Sequence, residues 1–189
     1  MIKRTSREHV LKILEKNHKS WQILDIGCNR DAVQYAQTAA DIQDLTSFYK
    51  DKKFVLIEGK DLPFEDNEFD FVFASHVIEH VEDVSYFIKE LQRISKKGYI
   101  ELPSMLEDNI VLSENNSKDH KWFFQFDDVN NILLAEPKKQ LIEPFITFGV
   151  LFGSLRKNFR SSLVIELYWE NEINYKFLNF TIPAKKPLF

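Results

Sequence analysis

Two short apolar runs, each bounded by turn residues, limit what this chain can fold into. Ile23-Leu24-Asp25-Ile26 stops at Gly27, and Phe69-Asp70-Phe71-Val72-Phe73-Ala74 follows the polar turn Glu65-Asp66-Asn67-Glu68. Runs of this length and boundary read as buried strands rather than helices. Phe54-Val55-Leu56-Ile57, closed by Gly59, and Tyr99-Ile100-Glu101-Leu102, stopped by Pro103, repeat the pattern, and Ala39-Ala40-Asp41-Ile42 repeats it more weakly. Between them run helical periods. Val10, Leu11, Ile13 and Leu14 mark an amphipathic helix over residues 8–16, and Val84, Phe87, Ile88, Leu91 and Ile94 recur at i, i+3, i+4 and i+7. Asp31, with Gln34 three residues on, reads as the start of a further helix. Lys96-Lys97-Gly98 reads as the end of the Val84 helix.

Strands alternating with helices predict an α/β fold with a mostly parallel sheet and helices on both faces. The tail differs. Residues 163–169 and 173–178, around Glu170-Asn171-Glu172, predict a C-terminal antiparallel hairpin. The chain has 189 residues without repeat or linker, so one domain over 1–189 is expected.

Composition narrows the function. Net charge is −4 and the pI about 5.8, which excludes an electrostatic grip on nucleic acid. Cys28 is the sole cysteine, so no internal disulfide forms and a reducing, cytoplasmic setting is expected. The charged N-terminus has no apolar run of a signal peptide behind it. The most apolar stretch, Phe145–Leu155, is too short to span a bilayer. Most of the 17 Phe are expected in the core, with a smaller share for an aromatic pocket or lipid contact.

The order of these motifs resembles the class I S-adenosylmethionine-dependent methyltransferase family, of the type 11 domain. The resemblance implies a Rossmann-like sheet ending in the hairpin, a cofactor half over 21–103, an acceptor-side insertion over 104–160 and the hairpin over 161–180. It implies S-adenosyl-L-methionine as cofactor, held by Asp25, Gly27, Cys28 and Asn29 of the first loop. Asp41, with Asp44 as the alternative, is implied at the ribose, Asp61 and Leu62 at the adenine, and Ser75 and His76 beside the methionine tail. His80 and Trp122 are implied on the acceptor side, with His120 as a catalytic base. The acceptor is expected to be a small molecule, a glycan or a lipid precursor.

The family's first loop carries glycines at alternate positions, where this chain has Asn29 and Asp31. Asn accepts a positive φ, and Asp31 suits a helix cap. A carboxylate there opposes a pyrophosphate, so the exchange disfavours a dinucleotide more than a sulfonium donor.

Two other readings stand beside this one. The glycine-poor loop fits a non-catalytic binding or regulatory protein on the same fold. His76-Val77-Ile78-Glu79-His80 also spells H-x-x-E-H, a zinc-hydrolase motif. That reading needs a long helix and a third ligand, for which His120 or Glu143 could be invoked. For Trp122, Phe124 and Phe126, alternation also fits a plain half-buried strand.

Overall fold

The computed structural model describes residues 1–110, 119–138 and 156–178. Glu143, the stretch Phe145–Leu155 and residues 111–118 of the polar segment lie outside them. The strands are β1 (Ile2–Arg4), β2 (Ile23–Ile26), β3 (Thr38–Asp41), β4 (Lys53–Leu56), β5 (Phe71–Ser75), β6 (Lys97–Pro103), β7 (Trp122–Asp127), β8 (Ile132–Pro137), β9 (Val164–Glu170) and β10 (Tyr175–Phe177). The helices are α1 (Arg7–Asn17), α2 (Val84–Ile94), α3 (Met105–Ile110) and α4 (Arg160–Leu163), with a 3-10 turn at Ile78–His80.

Seven strands form one sheet in the order β1-β9-β6-β5-β2-β3-β4. Strands β2 to β6 run parallel, while β9 lies antiparallel between β6 and β1. The strand period of two sorts side chains to opposite faces. Leu24, Ile26, Val72, Ala74, Ile100 and Leu102 face one side, where Val84, Phe87, Ile88, Leu91 and Ile94 of α2 cover them. Ile23, Phe71, Phe73 and Tyr99 face the other, against Val10 and Leu14 of α1. Each fully buried aliphatic or Phe side chain adds about 1.5–3 kcal/mol, so the two helices hold the sheet from both sides. Asp83 caps α2, its carboxylate accepting from the Tyr86 N–H at 2.9 Å.

Three expectations change. No helix starts at Asp31: residues 27–37 cross from β2 to β3 as an irregular loop. The sheet face such a helix needs is already taken by α1, and Val33 and Ala36 tuck in beside Val10 and Leu14. The segment after Ile94 is not a helix end but the start of β6, because Lys97 and Gly98 enter the ladder. The tail does not close into a hairpin. Both edges of β9 are occupied, by β6 and β1, so β10 joins a second sheet of order β10-β8-β7, parallel to β8. A single bridge, Glu170 to Glu172, is what remains of the turn.

Among the described residues, no helix is long and apolar enough to cross a membrane.

Gly98 sits where β6 is squeezed between β5 and Trp169. A Cβ there would lie 2.6 Å from the Val72 carbonyl oxygen and 2.5 Å from Trp169 Nε1. The carbonyl belongs to the ladder and cannot move cheaply. Gly98→Ala is expected to cost about 1–3 kcal/mol, as overpacking does. It should appear as a lower denaturant midpoint with an unchanged m-value; an unchanged midpoint contradicts this packing.

Candidate functional site

In open α/β sheets, ligands bind beyond the carboxyl ends of the strands, where the strand order reverses. Here that point lies between β2 and β5, paired through Asp25 with Phe73 and Ile26 with Ala74. The chain leaves β2 at Gly27 and β5 at Ser75, so the two loops face each other. A cavity of about 460 Å³ opens there, lined by Asp25, Gly27, Cys28, Asn29, Asp31, Ser75 and His76, together with Arg7, Phe73, Glu101, Arg156 and Arg160. That size lies within the usual range of small-ligand sites.

The backbone around the cavity is held in unusual conformations. Gly27 has φ +68°, Asn29 +43° and His76 +56°. His76 is the sole residue other than Gly or Asn with a positive φ among the described residues. Strain of this kind gathers at functional sites.

The first loop is tied down from inside. Gly27 N–H donates to the Ala40 carbonyl at 2.8 Å, and Asn29 N–H donates to Asp41 Oδ2 at 2.8 Å. Asp41 Oδ1 accepts from Gln43 N–H, so this acid staples the loops after β2 and β3. Asp25 Oδ2 accepts from Val33 N–H at 2.6 Å, giving the irregular crossover the anchor that a helix cap would have supplied. Burial drives the Asp25 carboxyl up to about 7, against the Val33 N–H and Arg7. Burial likewise pushes the Cys28 thiol up to about 11, so it is no nucleophile at neutral pH.

The other wall is a charge network. Glu101 and Glu166 stand opposite each other on β6 and β9. The Arg160 guanidinium bridges both at 3.1 Å, and the Tyr99 hydroxyl donates to Glu101 at 2.6 Å. Burial would raise Glu101, but His76, Tyr99 and Arg7 outweigh it and hold the carboxyl at about 2. Burial would lower His76, but hydrogen bonds to Glu101 and Glu79 outweigh it and lift the imidazole to about 9. Arg156 also lies 3.0 Å from His76 Nε2. Donation from Arg156 needs a neutral ring, whereas Nε2 faces Glu101 at 3.4 Å when protonated. Two carboxylates against one guanidinium favour the imidazolium.

The structure therefore brings Asp25, Gly27, Cys28, Asn29, Ser75 and His76 to one cavity. Asp41 stands behind Asn29 rather than on the lining. Asp61 lies on the surface, taking the Tyr86 hydroxyl at 2.5 Å, and Leu62 is buried with its N–H on Glu90. His80, His120 and Trp122 gather apart from the cavity. The His80 and His120 rings meet edge to face at 4.7 Å, and Trp122 Nε1 donates to the Val81 carbonyl. Only Ile78–His80 of the H-x-x-E-H segment is helical, as a three-residue 3-10 turn, and His76 lies before that turn on the cavity wall.

Sequence reasoning missed Arg7, Phe73, Glu101, Arg156 and Arg160. Glu101 left a signal, as a charge inside the apolar run Tyr99–Leu102. The arginines left none, since only the fold brings α1, Arg156 and α4 to this edge.

Residues 7–100 match the family model of a methyltransferase domain. The chain belongs to the class I S-adenosylmethionine-dependent methyltransferases. Ajmaline N-methyltransferase of Rauvolfia serpentina is 34% identical over 77 residues, 41% of this chain and 25% of that protein. Tocopherol O-methyltransferase of Arabidopsis thaliana is 36% identical over 73 residues, 39% of this chain and 21% of that protein. An uncharacterized protein of Methanocaldococcus jannaschii is 33% identical over 122 residues, 57% of this chain and 52% of that protein. The chain thus spans between about a fifth and a half of the lengths of these relatives. A methyltransferase of Thermotoga maritima shares the fold at a TM-score of 0.50 and 15% identity, covering 86% of this chain and 87% of its own.

The raised Asp25 carboxyl has a pH signature. The folded chain keeps a proton on Asp25 that the unfolded chain releases between about pH 4 and 7. Its contribution to stability is complete below about pH 4 and is lost as pH rises through 7. Asp25→Asn keeps an acceptor for Val33 and removes the charge. Denaturation at pH 5 and pH 8 should show the parent losing stability relative to the variant, by up to about 1.4 kcal/mol per pH unit. Parallel profiles contradict the assignment.

Proposed function

We propose that this chain transfers a methyl group from S-adenosylmethionine to an oxygen or nitrogen of a small acceptor, a free metabolite or the small headgroup of a glycan or lipid precursor. The observation that carries the reading is the cavity at the β2–β5 reversal, which mixes acids and arginines against a glycine turn. A ligand with an ammonium, a carboxylate and a sulfonium needs both signs of charge. Asp31 and Glu101 suit the ammonium, and Arg7 and Arg156 suit the carboxylate. The first loop's N–H groups at Gly27 and Asn29 are already engaged within the protein, so the loop offers little to a pyrophosphate. In this reading the ribose lies toward Asp41, behind Asn29, and the adenine toward the segment of Asp61 and Leu62, although none of the three lines the cavity itself.

When bound, S-adenosylmethionine supplies a methyl already activated on sulfur, which leaves the protein the work of orientation and water exclusion. Gly27, with φ +68°, lets the chain turn beneath the ligand. Ser75 and His76 wall the methionyl side, and Phe73 backs the cavity with the Arg7 guanidinium over its ring at 5.0 Å. The acceptor approaches past His76, from the side where His80, His120 and Trp122 stand.

A second reading, binding without catalysis, draws on one contact. A Cβ on Gly27 would fall 2.3 Å from Val77 Cγ2, so Val77 already seats on the glycine. Calorimetry with S-adenosylhomocysteine tests binding, and an acceptor screen for the same product separates the two readings. The proposal expects one site with a Kd in the micromolar range, about −8 kcal/mol, and turnover with some acceptor. Gly27→Ala adds a Cβ at a positive φ, and should weaken that binding at least about tenfold, or 1.4 kcal/mol. Absence of binding by the folded parent chain refutes the proposal; binding with no turnover across the screen favours the second reading.

A further inference from the structure

The polar groups beyond His76 form a cluster that methyl transfer does not explain. Glu79 and His80 sit on the 3-10 turn after β5, and His120 just precedes β7. The Lys121 N–H donates to the Glu79 carbonyl at 2.8 Å, which locks these two segments together. One ligand atom from each of Glu79, His80 and His120 lies within 4.8 Å of the other two. We propose that these three side chains form a binding site for a divalent first-row transition-metal ion such as Zn²⁺.

Glu79 is the strongest argument. It is fully buried, and Oε1 lies 3.1 Å from His76 Nδ1, while Oε2 has no hydrogen-bond partner among the described residues. A buried carboxylate oxygen without a donor is costly, by about 1–3 kcal/mol or more. A cation between Glu79 and the two rings is the missing partner.

His120 supplies the second argument. It is buried, and its Nδ1 lies 2.7 Å from Asp108 Oδ1, itself buried. That carboxylate fixes the proton on Nδ1 and leaves the Nε2 lone pair to coordinate. Metal-binding histidines are held in this way by a carboxylate on the far ring nitrogen. His80, half-buried on the same turn, brings the second imidazole edge to face with the first.

The ligand chemistry selects the ion. Two imidazoles and one carboxylate suit zinc and its neighbours, whereas magnesium and calcium want oxygen. With bonds of about 2.1 Å, ligand atoms around a tetrahedral ion sit about 3.4 Å apart. The ligand atoms lie within 4.8 Å of one another, so binding draws them in, and His80, the least buried of the three, is the ring with room to move. Glu79 and Asp108 place two carboxylates beside the ion, with Glu79 shared with His76. Three protein ligands leave a coordination position open.

The role of the ion rests on the methyl-transfer reading; its presence does not. Glu79 would hold the ion and also contacts His76, which lines the cavity, so one carboxylate links the metal site to the proposed methyl-transfer site. The lone pair of His120 then serves as a ligand rather than as a proton acceptor.

The test uses the whole chain, free of any affinity tag and stripped with a chelator, titrated with Zn²⁺, Mn²⁺ and Mg²⁺ by calorimetry. One equivalent of Zn²⁺ should bind, with Mg²⁺ at least tenfold weaker. His80→Ala, at a half-exposed position that folding tolerates, and His120→Ala should each weaken Zn²⁺ at least a hundredfold. Asp108→Asn should weaken it about 10–100-fold. Cobalt added to the stripped chain should give a ligand-field absorption that His80→Ala abolishes. Wild-type Zn²⁺ affinity and stoichiometry in a folded His80→Ala chain overturn the site, as does a parent chain that takes up no equivalent. S-adenosylhomocysteine binding, measured on the same samples, keeps the two proposals apart: a chain that binds it without metal loses only the site, and one that binds metal without it loses only the transfer reading.

Discussion

The adjacency of β2 and β5 is the constraint on which the rest of the structure depends. Two parallel strands paired from Ile23 with Phe71 to Ile26 with Ala74 end at the same height. One chain then turns toward β3 and the other toward β6. The crevice between them follows from that divergence and needs no further design. Positive φ at Gly27, Asn29 and His76 shows where the chain bends most sharply, and all three line the cavity.

Electrostatics shape the crevice as much as topology. Glu101 and Glu166 face each other across β6 and β9, a pairing that repulsion disfavours on its own. Arg160, Tyr99 and Arg7 convert it into a bridge, with Arg7 N–H on Glu166 and its guanidinium on Glu101. Removing one partner of such a buried network costs more than the network contributes to stability. These charges set the electrostatics of the cavity wall, where Arg7, Glu101 and Arg160 all line the cavity. They tie the start of α1, the edge of the sheet and α4 to the place where the family resemblance puts the donor.

Much of the sheet was legible because each central strand has its own apolar run and its own turn. The helix α2 was legible from the period of its apolar residues. The failures share a cause: a local pattern met a partner elsewhere in the chain. Asp31 had the spacing of a helix cap, but α1 covered the face that helix needs. The second arm of the tail had a strand's composition, but β9 had no free edge to give it. Strand β8 went unread although Ile132–Ala135 is apolar, and β1 is a three-residue edge strand with no pattern to show. At the site, Asp25, Gly27 and His76 came from sequence order. Arg7, Arg156 and Arg160 came only from packing. The H-x-x-E-H spelling needed a long helix, but only Ile78–His80 is helical, and the His80 ring meets His120 instead.

The central claim is that the loops after β2 and β5 close on one donor ligand. Hydrogen exchange with and without S-adenosylhomocysteine measures this directly, because amides report local opening segment by segment. The account predicts added protection over residues 27–33 and 75–80 together, with little change in α2 or in the β7–β8 pair. Saturating ligand that leaves both loops unchanged, or that protects a different edge of the sheet, contradicts it.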